Sequence, residues 1–585
     1  MDNGNFRTRT PRSPASIACL LASTCLASLL CLHADAQDWP RYRPKPLPNE
    51  QGEAQLPEVP QEATGDTAIL VESLEGLVFV DHPDRVADGP LDVAGVEVHS
   101  DTGLDLLHQP EFRALVEPYL GQPVSMRRLN EMVRQIILYY RDNDQPVVDV
   151  SVPEQNITSG VVQVVVLEGR IGNVCVEGAR YFDHCMLANQ VWLNSGETIY
   201  ESILNEELWW LNRNPFRSVD LTLTPGDHFG ETDLVFQVND QRPWRAYVGY
   251  EDTGTRDTGL ERTIYGVHWG NAFHRDHQLA YQFTASSDFQ KLTAHSLVYE
   301  IPLANRDLLT FFGTYGEVDT VIDDLPMEGF GLQASLRYRR DLPAFCSAEH
   351  YWVLGLDAKR TNTDLEFGGM QVFPETADVY QLMAKYAQEK FDCHGTTSFG
   401  GEMFFSPGGL SEGNSTSTYQ LYRAGATADY FYGRLFVERE QYLRHNLLLN
   451  VRALGQLADG NLIPSEQLGL GGYYTIRGYD MRLVNGDNGY IVNVELLNCP
   501  MATDWIRCVD EELQFLGFFD LGEATLHSPL PGEGRSVQLS SVGVGLRYTA
   551  GRRVLLRADY GYPLDRDVFG VDPDGRLHIG AVLSF

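Results

Sequence analysis

An arginine and an aspartate near the C-terminal end of the chain lie in surroundings that favour a buried ion pair. Arg477 lies between apolar residues and glycines in the run Tyr473-Tyr474-Thr475-Ile476-Arg477-Gly478-Tyr479. Asp520 interrupts the apolar run Phe518-Phe519-Asp520-Leu521-Gly522. A guanidinium can donate two parallel hydrogen bonds to one carboxylate, and such a pair is strong and geometrically specific. We therefore expect a structural ion pair here. The alternative is that Arg477 lies in solvent and Asp520 is an ordinary polar residue.

The region that holds both residues has the two-residue period of β-strands. Apolar and polar residues alternate from Leu332 to Arg339 and from Ser541 to Tyr548, and alternate positions at the end of the chain are Leu577, Ile579, Ala581, Leu583 and Phe585. About sixteen such segments follow Ala246, each near the roughly 9–11 residues that a tilted spanning strand needs. We therefore predict a transmembrane antiparallel β-barrel over residues 242–585, with Phe585 as its C-terminal assembly signal. A large soluble β-sandwich is the alternative.

The longest connection of the predicted barrel contains Arg477. It runs from about Ala458 to Asn488. It lies outside the cell if both ends of the barrel lie in the periplasm, because odd-numbered connections are then extracellular. Long loops without secondary structure are usually functional or disordered, and an arginine among apolar residues and glycines argues against disorder. We expect this loop to fold back into the lumen, where Arg477 can reach Asp520 on the wall.

Upstream of the barrel, short strands alternate with amphipathic helices. Ser125 has the side chain of an N-cap for a helix whose apolar residues recur every three or four positions: Leu129, Met132, Val133, Ile136, Ile137 and Tyr140. Further on, the pattern predicts strands at Ile171–Val176, Ser218–Thr224 and Asp233–Val238 and a helix at Glu201–Leu211. These elements predict two α+β modules in series, over residues 67–169 and 170–241.

Two further segments precede the modules. Residues 1–36 combine basic residues, the apolar stretch Ile17–Leu32 and the triplet Ala34-Asp35-Ala36, which together predict a cleaved secretory signal peptide. Residues 37–66 are rich in proline and polar side chains and predict a linker that does not fold alone. The protein is therefore expected to leave the cytoplasm.

Cysteine usage fits an exported protein. Of nine cysteines, three leave with the signal peptide, and the remaining six are Cys175, Cys185, Cys346, Cys393, Cys499 and Cys508. An even set in an exported chain suggests disulfides. Cys175–Cys185 and Cys499–Cys508 are close in sequence, which leaves Cys346 with Cys393. A metal site is the alternative, but paired C-x-x-C spacing and matching histidines are missing.

Composition and motifs argue against several other functions. The formal net charge of −35 opposes nucleic-acid binding, which needs basic patches. The sequence has no phosphate-binding loop, H-E-x-x-H motif or nicotinamide fingerprint, so no cofactor and no metal is expected. Residues 409–413 match the nucleophile-elbow pattern, but they lie in a barrel loop rather than between a strand and a helix. We expect no enzymatic activity and no catalytic residue.

The motifs together resemble those of a known superfamily. Ile476-Arg477-Gly478-Tyr479 resembles the VRG(Y/F) loop signature of outer-membrane proteins that join POTRA domains to a barrel, and Phe518-x-Asp520-x-Gly522 resembles its partner on the barrel wall. The run from Val152 to Ile157, then Gly160 and Leu167-Glu168-Gly169-Arg170-Ile171, resembles the first POTRA domain of the two-partner secretion transporters of the hemolysin secretion/activation type (ShlB/FhaC/HecB). The resemblance covers roughly residues 68–585.

This resemblance implies a fold, a location and partners. The fold is two α+β POTRA modules followed by a transmembrane antiparallel β-barrel, in the outer membrane with the POTRA domains in the periplasm. The implied partners are a secreted exoprotein of hemolysin or adhesin type, outer-membrane lipid and the barrel-assembly machinery, and no nucleic acid. The expected client-binding residues of the POTRA modules are Pro153, Glu154, Gln155, Trp209 and Trp210, and the expected surface includes the second module's last strands and the helix Glu201–Leu211. At least one of the two tryptophans is expected to belong to the core instead.

Three departures and two alternatives accompany the resemblance. The chain reads Asp144-Gln145-Pro146 where the family often has a Gly-Tyr pair, residues 37–66 contain no clear plug helix, and six mature cysteines are more than expected. The first alternative is an assembly factor of the same superfamily, which inserts other barrels instead of secreting a soluble client. The second is a passive porin or a barrel enzyme, which the POTRA modules and the missing catalytic cluster argue against.

Overall fold

The structure is a computed structural model that describes residues 44–45, 52–57, 59 and 65–585, apart from 101–102, 256–257, 323–324, 346–347, 364–371, 504, 506–508, 566 and 569–573. These residues divide into two compact units. One lies within Asn49–Arg242, and the other combines Pro243–Phe585 with Pro44 and Lys45. The predicted signal peptide and most of the predicted linker lie outside the described residues.

The first module of the unit within Asn49–Arg242 is a sheet of four strands covered by helices. In chain order its elements, preceded by the separate short strand β1 (Ala54–Gln55), are β2 (Ile69–Val71), β3 (Gly76–Val80), β4 (Gly95–His99), α1 (Pro110–Val116), β5 (Val124–Ser125), α2 (Met126–Asp142), β6 (Val148–Ser151) and β7 (Val161–Glu168). The strand order is β4-β3-β7-β6, and β3 is parallel to both of its neighbours. Short 3-10 turns occur at Pro83–Arg85, Asp105–His108 and Glu117–Tyr119.

The predicted helix of this module is confirmed. Ser125 caps α2 by accepting a hydrogen bond from the Arg128 amide at 3.4 Å. The apolar stripe of the helix packs into one core with the β-branched strand β7, so that the following residues are buried: Leu129, Met132, Ile136, Tyr140, Val162, Val164 and Val166. The periodicity that predicted the helix thus also identified the face that it buries.

The second module has a sheet in which a linker segment takes part. Its elements are β8 (Arg170–Glu177), α3 (His184–Ala188), α4 (Glu201–Asn212), β9 (Arg217–Pro225) and β10 (Glu231–Asp240). The strand order is β1-β9-β10-β8, and Ala54 and Gln55 of β1 lie opposite Leu221 and Thr222 in a parallel pairing. Part of the segment predicted to be a linker that does not fold alone therefore covers one edge of this sheet.

The C-terminal unit is a closed antiparallel barrel of sixteen spanning strands, which confirms the predicted fold class. The spanning strands are β11 (Trp244–Glu251), β12 (Arg262–Ala272), β13 (His277–Ser286), β14 (Leu292–Pro302), β15 (Leu308–Ile322), β16 (Leu325–Phe345), β17 (Ala348–Thr363), β18 (Val372–Asp392), β19 (Gly395–Pro407), β20 (Asp429–Leu443), β21 (Leu447–Ala458), β24 (Asn488–Asn498), β26 (Glu511–Thr525), β27 (Ser536–Ala550), β28 (Val554–Pro563) and β29 (Arg576–Ser584). The other elements are α5 (Thr416–Tyr422), β22 (Leu468–Leu470), β23 (Val484–Gly486) and β25 (Met501–Thr503). The ring closes where β11 pairs with β29.

The strands alternate between an apolar outer face and a polar lumen. On β17, Leu354 and Leu356 are 54% and 53% exposed, whereas the neighbouring Asp357 and Lys359 are 4% and 5% exposed. Charged side chains are therefore found inside the ring, and large apolar ones outside it, where lipid covers them. Separately, no helix among the described residues is both long and apolar enough to cross a membrane.

The end of the chain takes part in closing the barrel. The Phe585 amide donates a hydrogen bond to the Ala246 carbonyl at 2.8 Å, and the Ala246 amide donates to the Phe585 carbonyl at 3.3 Å. The Phe585 side chain is 73% exposed. A role for this residue as an assembly signal stays a prediction.

Two of the expected disulfide pairings are absent from the structure. Cys175 on β8 and Cys185 on α3 are both free and exposed, and Cys393 is also free. On β8 the alternation turns Cys175 to solvent while Val174 and Val176 are half-buried, so closeness in sequence does not bring the two sulfur atoms together. Cys499 is disulfide-bonded, whereas Cys346 and Cys508 lie outside the described residues.

Thiol labelling should separate these cysteines. We expect a maleimide reagent to modify Cys175, Cys185 and Cys393 in the unreduced protein because their thiols are free and exposed. Cys499 should react only after reduction. Mass spectrometry of peptides from the unreduced protein reads out both results, with serine variants of each cysteine as controls. A peptide that links Cys175 to Cys185 would contradict the structure.

Candidate functional site

The long extracellular connection folds into the lumen as a hairpin. We call residues 459–487 the pore loop. Within it, β22 and β23 pair antiparallel, with Leu468 opposite Gly486. The buried apolar residues of its inner part, Leu470, Ile476 and Tyr479, share a core with Ile491 and Leu539 of the barrel wall. This apolar contact explains why a loop without a long secondary-structure pattern is ordered.

The tip of the pore loop carries Arg477 to the predicted aspartate. The Arg477 Nε and Nη2 atoms donate to the two carboxylate oxygens of Asp520 at 2.8 Å each, and the Arg477 backbone amide donates to the same carboxylate at 3.1 Å. The side chains are 4% and 0% exposed. The guanidinium also lies over the Phe518 ring, 3.5 Å from its centroid. The structure therefore joins the two motifs through a buried bidentate ion pair.

Two further carboxylates, which the sequence reasoning missed, complete the surroundings of Arg477. Arg477 Nη1 lies 2.6 Å from Glu495 Oε1 on β24 and 3.7 Å from Asp559 Oδ1 on β28. Arg547 on β27 pairs with Asp559 at 2.9 Å and so balances part of this negative charge. Glu495 and Asp559 occupy lumen-facing positions on strands in which polar and apolar residues alternate. That alternation is the sequence signal that could have identified them.

Glycines in both motifs allow the loop and the wall to approach closely. Gly478 has φ +92°, and a Cβ atom on Gly561 of β28 would lie 2.5 Å from the Gly478 nitrogen. A Cβ atom on Gly522 would meet Leu470 and the Tyr490 carbonyl at 3.0 Å and Ile476 at 3.2 Å. The Tyr479 hydroxyl donates to the Ser540 carbonyl at 2.6 Å. The glycines and Tyr479 of the two motifs thus contribute to the contact between the pore loop and the barrel wall.

A second ionic contact in the same lumen involves a residue of the predicted linker. Lys45 Nζ lies 2.8 Å from Glu251 Oε1, and Arg557 Nη2 lies 3.0 Å from the same oxygen. The Lys45 amide donates to the Tyr247 hydroxyl at 2.9 Å, and Arg245 donates to the Lys45 carbonyl at 3.0 Å. Part of the predicted linker is therefore bound to the lumen wall of the barrel.

The predicted POTRA residues differ in their availability to a client. Gln155 is used within the first module, because its amide group donates to the Gln163 carbonyl at 2.7 Å and accepts from the Gln163 amide at 2.6 Å. Pro153 is half-buried, and Glu154 is exposed. Trp210 is 2% exposed and belongs to the core, whereas Trp209 is half-buried. Trp210 is therefore the tryptophan of this pair that belongs to the core, and a contact role remains a prediction for Trp209 alone.

The run Leu167-Glu168-Gly169 has a structural role at the end of the first module. The Tyr140 hydroxyl donates to Glu168 at 3.0 Å, and burial together with this carboxylate raises the pKa of the Tyr140 phenol well above its usual value. A Cβ atom on Gly169 would lie 2.5 Å from a methyl group of Val147. The residues that carried the resemblance here stabilise the module.

The serine of the nucleophile-elbow pattern is also accounted for structurally. The Ser411 hydroxyl donates to Asp378 at 2.6 Å, and the Asn414 amide donates to Ser411 at 3.2 Å. These contacts hold the extracellular loop between β19 and β20 on the barrel wall.

Periplasmic-type modules joined to a sixteen-stranded barrel, with an arginine loop bound inside the lumen, define an outer-membrane protein of the POTRA–barrel class. The model of the family "Haemolysin secretion/activation protein ShlB/FhaC/HecB" matches residues 230–342 and 358–548. The model of the family "POTRA domain, ShlB-type" matches residues 92–169. The chain belongs to this haemolysin secretion/activation family of two-partner secretion transporters. It is an outer-membrane protein whose POTRA domains lie in the periplasm.

Named relatives agree with this assignment. The heme/hemopexin transporter protein HuxB of Haemophilus influenzae is 22% identical over 485 residues, which cover 79% of this chain and 82% of that protein. The outer membrane transporter CdiB-2 of Burkholderia pseudomallei is 26% identical over 146 residues, 24% of each chain. These relatives are transporters rather than enzymes.

Solved structures share the fold. CdiB from Escherichia coli aligns with a TM-score of 0.67 at 17% identity and covers 99% of this chain and 100% of its own. CdiB from Acinetobacter baumannii aligns with a TM-score of 0.59 at 16% identity and covers 97% of this chain and 99% of its own. At these identities the likeness concerns the architecture alone.

Proposed function

We propose that this protein takes an unfolded exoprotein of hemolysin or adhesin type from the periplasm and exports it through the barrel lumen. The observation that carries the proposal is the pore loop. A secretion barrel needs a seal inside its lumen that can be held and released, and a loop held by a buried ion pair meets that need. The alternation of barrel strands provides a hydrated path along the polar lumen wall.

Transport without ATP fits the composition of the chain. The sequence carries no phosphate-binding loop that would bind a nucleotide. An exoprotein that folds after it leaves the lumen cannot easily return, so folding outside the cell would make the passage one-way. Insertion of the barrel itself would need outer-membrane lipid and the barrel-assembly machinery as partners.

An extended client can dock by adding a strand to a sheet edge of the POTRA modules. Such pairing gives main-chain hydrogen bonds with little demand on sequence. In the second module one edge is occupied by β1, while β8 forms the other end of the sheet. We assign client contact to three side chains, Glu154, Trp209 and the 50% exposed Trp192, and not to the buried Trp210.

Secretion by cells with and without the gene tests the proposal. We expect deletion of the gene to keep the partner exoprotein out of the medium and in the periplasm, and a plasmid copy to restore secretion. An unrelated outer-membrane barrel, followed by immunoblot, serves as the control. Normal secretion with loss of several outer-membrane barrels would instead support the assembly-factor alternative.

A further inference from the structure

A second buried ion pair attaches the pore loop to another part of the wall. Glu466 lies at the end of the 3-10 turn Pro464–Glu466, in the leg of the pore loop that follows β21. Its carboxylate lies 3.0 Å from Lys359 Nζ and accepts a hydrogen bond from the Tyr432 hydroxyl at 3.0 Å. The side chains of Lys359 and Glu466 are 4% and 0% exposed. The backbone carbonyl of Glu466 also accepts a hydrogen bond from Gln456 at 3.2 Å.

The two attachments lie on well-separated parts of the barrel wall. Lys359 is on β17, and Asp520, which accepts two hydrogen bonds from the Arg477 guanidinium, is on β26. The spanning strands between them are β18, β19, β20, β21 and β24, so β17 and β26 are six places apart in a ring of sixteen. The pore loop is therefore attached to the wall at two separate places, in the leg that follows β21 and at its tip.

The attachments differ in the geometry of their cationic side chain and in the number of carboxylates that it reaches. Arg477 binds a carboxylate through a planar, bidentate group, reaches further carboxylates and is packed against glycines. Lys359 offers a compact charge on a flexible stem, which is a less specific partner than a guanidinium. Removal of one member of a buried pair leaves the other charge uncompensated, so each attachment can be tested by substitution.

We propose that Lys359, Glu466 and Tyr432 are positioning residues that hold the leg of the pore loop that follows β21 on the lumen wall, and that this attachment releases first when the channel opens. The Arg477 end then acts as the fixed point about which the loop turns. The inference rests on the proposed function, because release of the loop matters for secretion only if the lumen is the export path. The open fraction of the channel can, however, be measured without a client.

Single-channel conductance of the full chain in planar lipid bilayers tests this inference. We expect Lys359→Met and Glu466→Gln to raise the open fraction about tenfold, since an uncompensated buried charge favours release of the loop. Tyr432→Phe should have a smaller effect in the same direction. Exchange of the charges, Lys359→Glu with Glu466→Lys, should restore closure.

A wall pair provides the matched control. Lys385 Nζ and Glu402 Oε1 are 3.0 Å apart with side chains 4% and 1% exposed, but they join the neighbouring strands β18 and β19. Lys385→Met should therefore leave the open fraction unchanged. Heat-modifiable migration in gels establishes that each variant is a folded barrel.

Three results would overturn the inference: unchanged conductance in folded Lys359→Met and Glu466→Gln, an equal increase in Lys385→Met, or no recovery in the charge exchange. If only the Lys359 variant fails to fold, Glu466→Gln and Tyr432→Phe decide the question. Absence of client secretion by the wild type would reject the proposed function while leaving the conductance result intact.

Discussion

Replacement of Arg477 by alanine should reduce secretion of the exoprotein at least about tenfold while the barrel still assembles. The substitution leaves Asp520 and Glu495 buried without their guanidinium, and loss of one partner of a buried pair costs about 3–5 kcal/mol. The substitution destabilises the attachment of the pore loop to the wall. It leaves the hydrogen bonds between the barrel strands unchanged, so the barrel still assembles. Arg477→Lys should rescue little because an ammonium cannot reproduce the bidentate contact.

The measurement is the ratio of secreted to cell-associated exoprotein at equal barrel abundance. Arg360→Ala is the matched control, since that arginine is on β17 with a side chain 61% exposed and lies 3.5 Å from Asp378. We expect the control to secrete normally. Normal secretion by a folded Arg477→Ala protein would contradict a role for the ion pair in transport.

A double-mutant cycle extends this prediction to the partner. Asp520→Ala should reproduce the defect of Arg477→Ala, and the double variant should be little worse than either single one, because both changes remove one interaction. Glu495→Gln should have a smaller effect, since Asp520 still binds the guanidinium on two atoms. Additive losses from Arg477→Ala and Asp520→Ala would show that the two residues act separately.

Residues of this site that lie in short, unusual sequence motifs could be predicted from the sequence, whereas residues brought together only by the fold could not. Arg477 and Asp520 were predicted because each lies in a short run of unusual composition, and the strand period placed Asp520 in the lumen. Glu495, Asp559 and the pair of Lys359 with Glu466 were missed. Their contacts depend on which strands face each other after ring closure and on the path of the loop, and neither is encoded in a local pattern.

The errors in the predicted fold have the same origin. The Cys175–Cys185 pairing was inferred from sequence distance, whereas the direction of each thiol depends on strand alternation and on the helix that follows. The pairing of Ala54–Gln55 with β9 was missed because a sheet edge recruits a strand through backbone groups rather than through side-chain pattern. Barrel and module patterns, by contrast, repeat over many residues and were predicted correctly.

Substitution of Gly561 should release the pore loop without altering a charged residue. A Cβ atom at this position would lie 2.5 Å from the Gly478 nitrogen, 2.7 Å from the Arg477 carbonyl carbon and 2.8 Å from the Gly478 Cα. All three atoms belong to the backbone, so a side-chain rotation cannot relieve the clash. Overpacking of this kind typically costs about 1–3 kcal/mol, and here the loop tip is the part that can move.

We therefore expect Gly561→Ala to reduce secretion as Arg477→Ala does, even though Arg477 and its three carboxylates remain. Displacement of the tip should also break the hydrogen bond from the Gly478 amide to His578, now 3.2 Å long. Trypsin added to intact cells should then cleave after Arg477 or Arg482, and neither site should be cleaved in the wild type.

Gly517→Ala on β26 is the control, because its Cβ would meet no atom closer than 4.0 Å. Wild-type secretion and protease resistance in Gly561→Ala would mean that the loop tolerates the displacement, so close packing at Gly478 would not be needed to hold Arg477 in place.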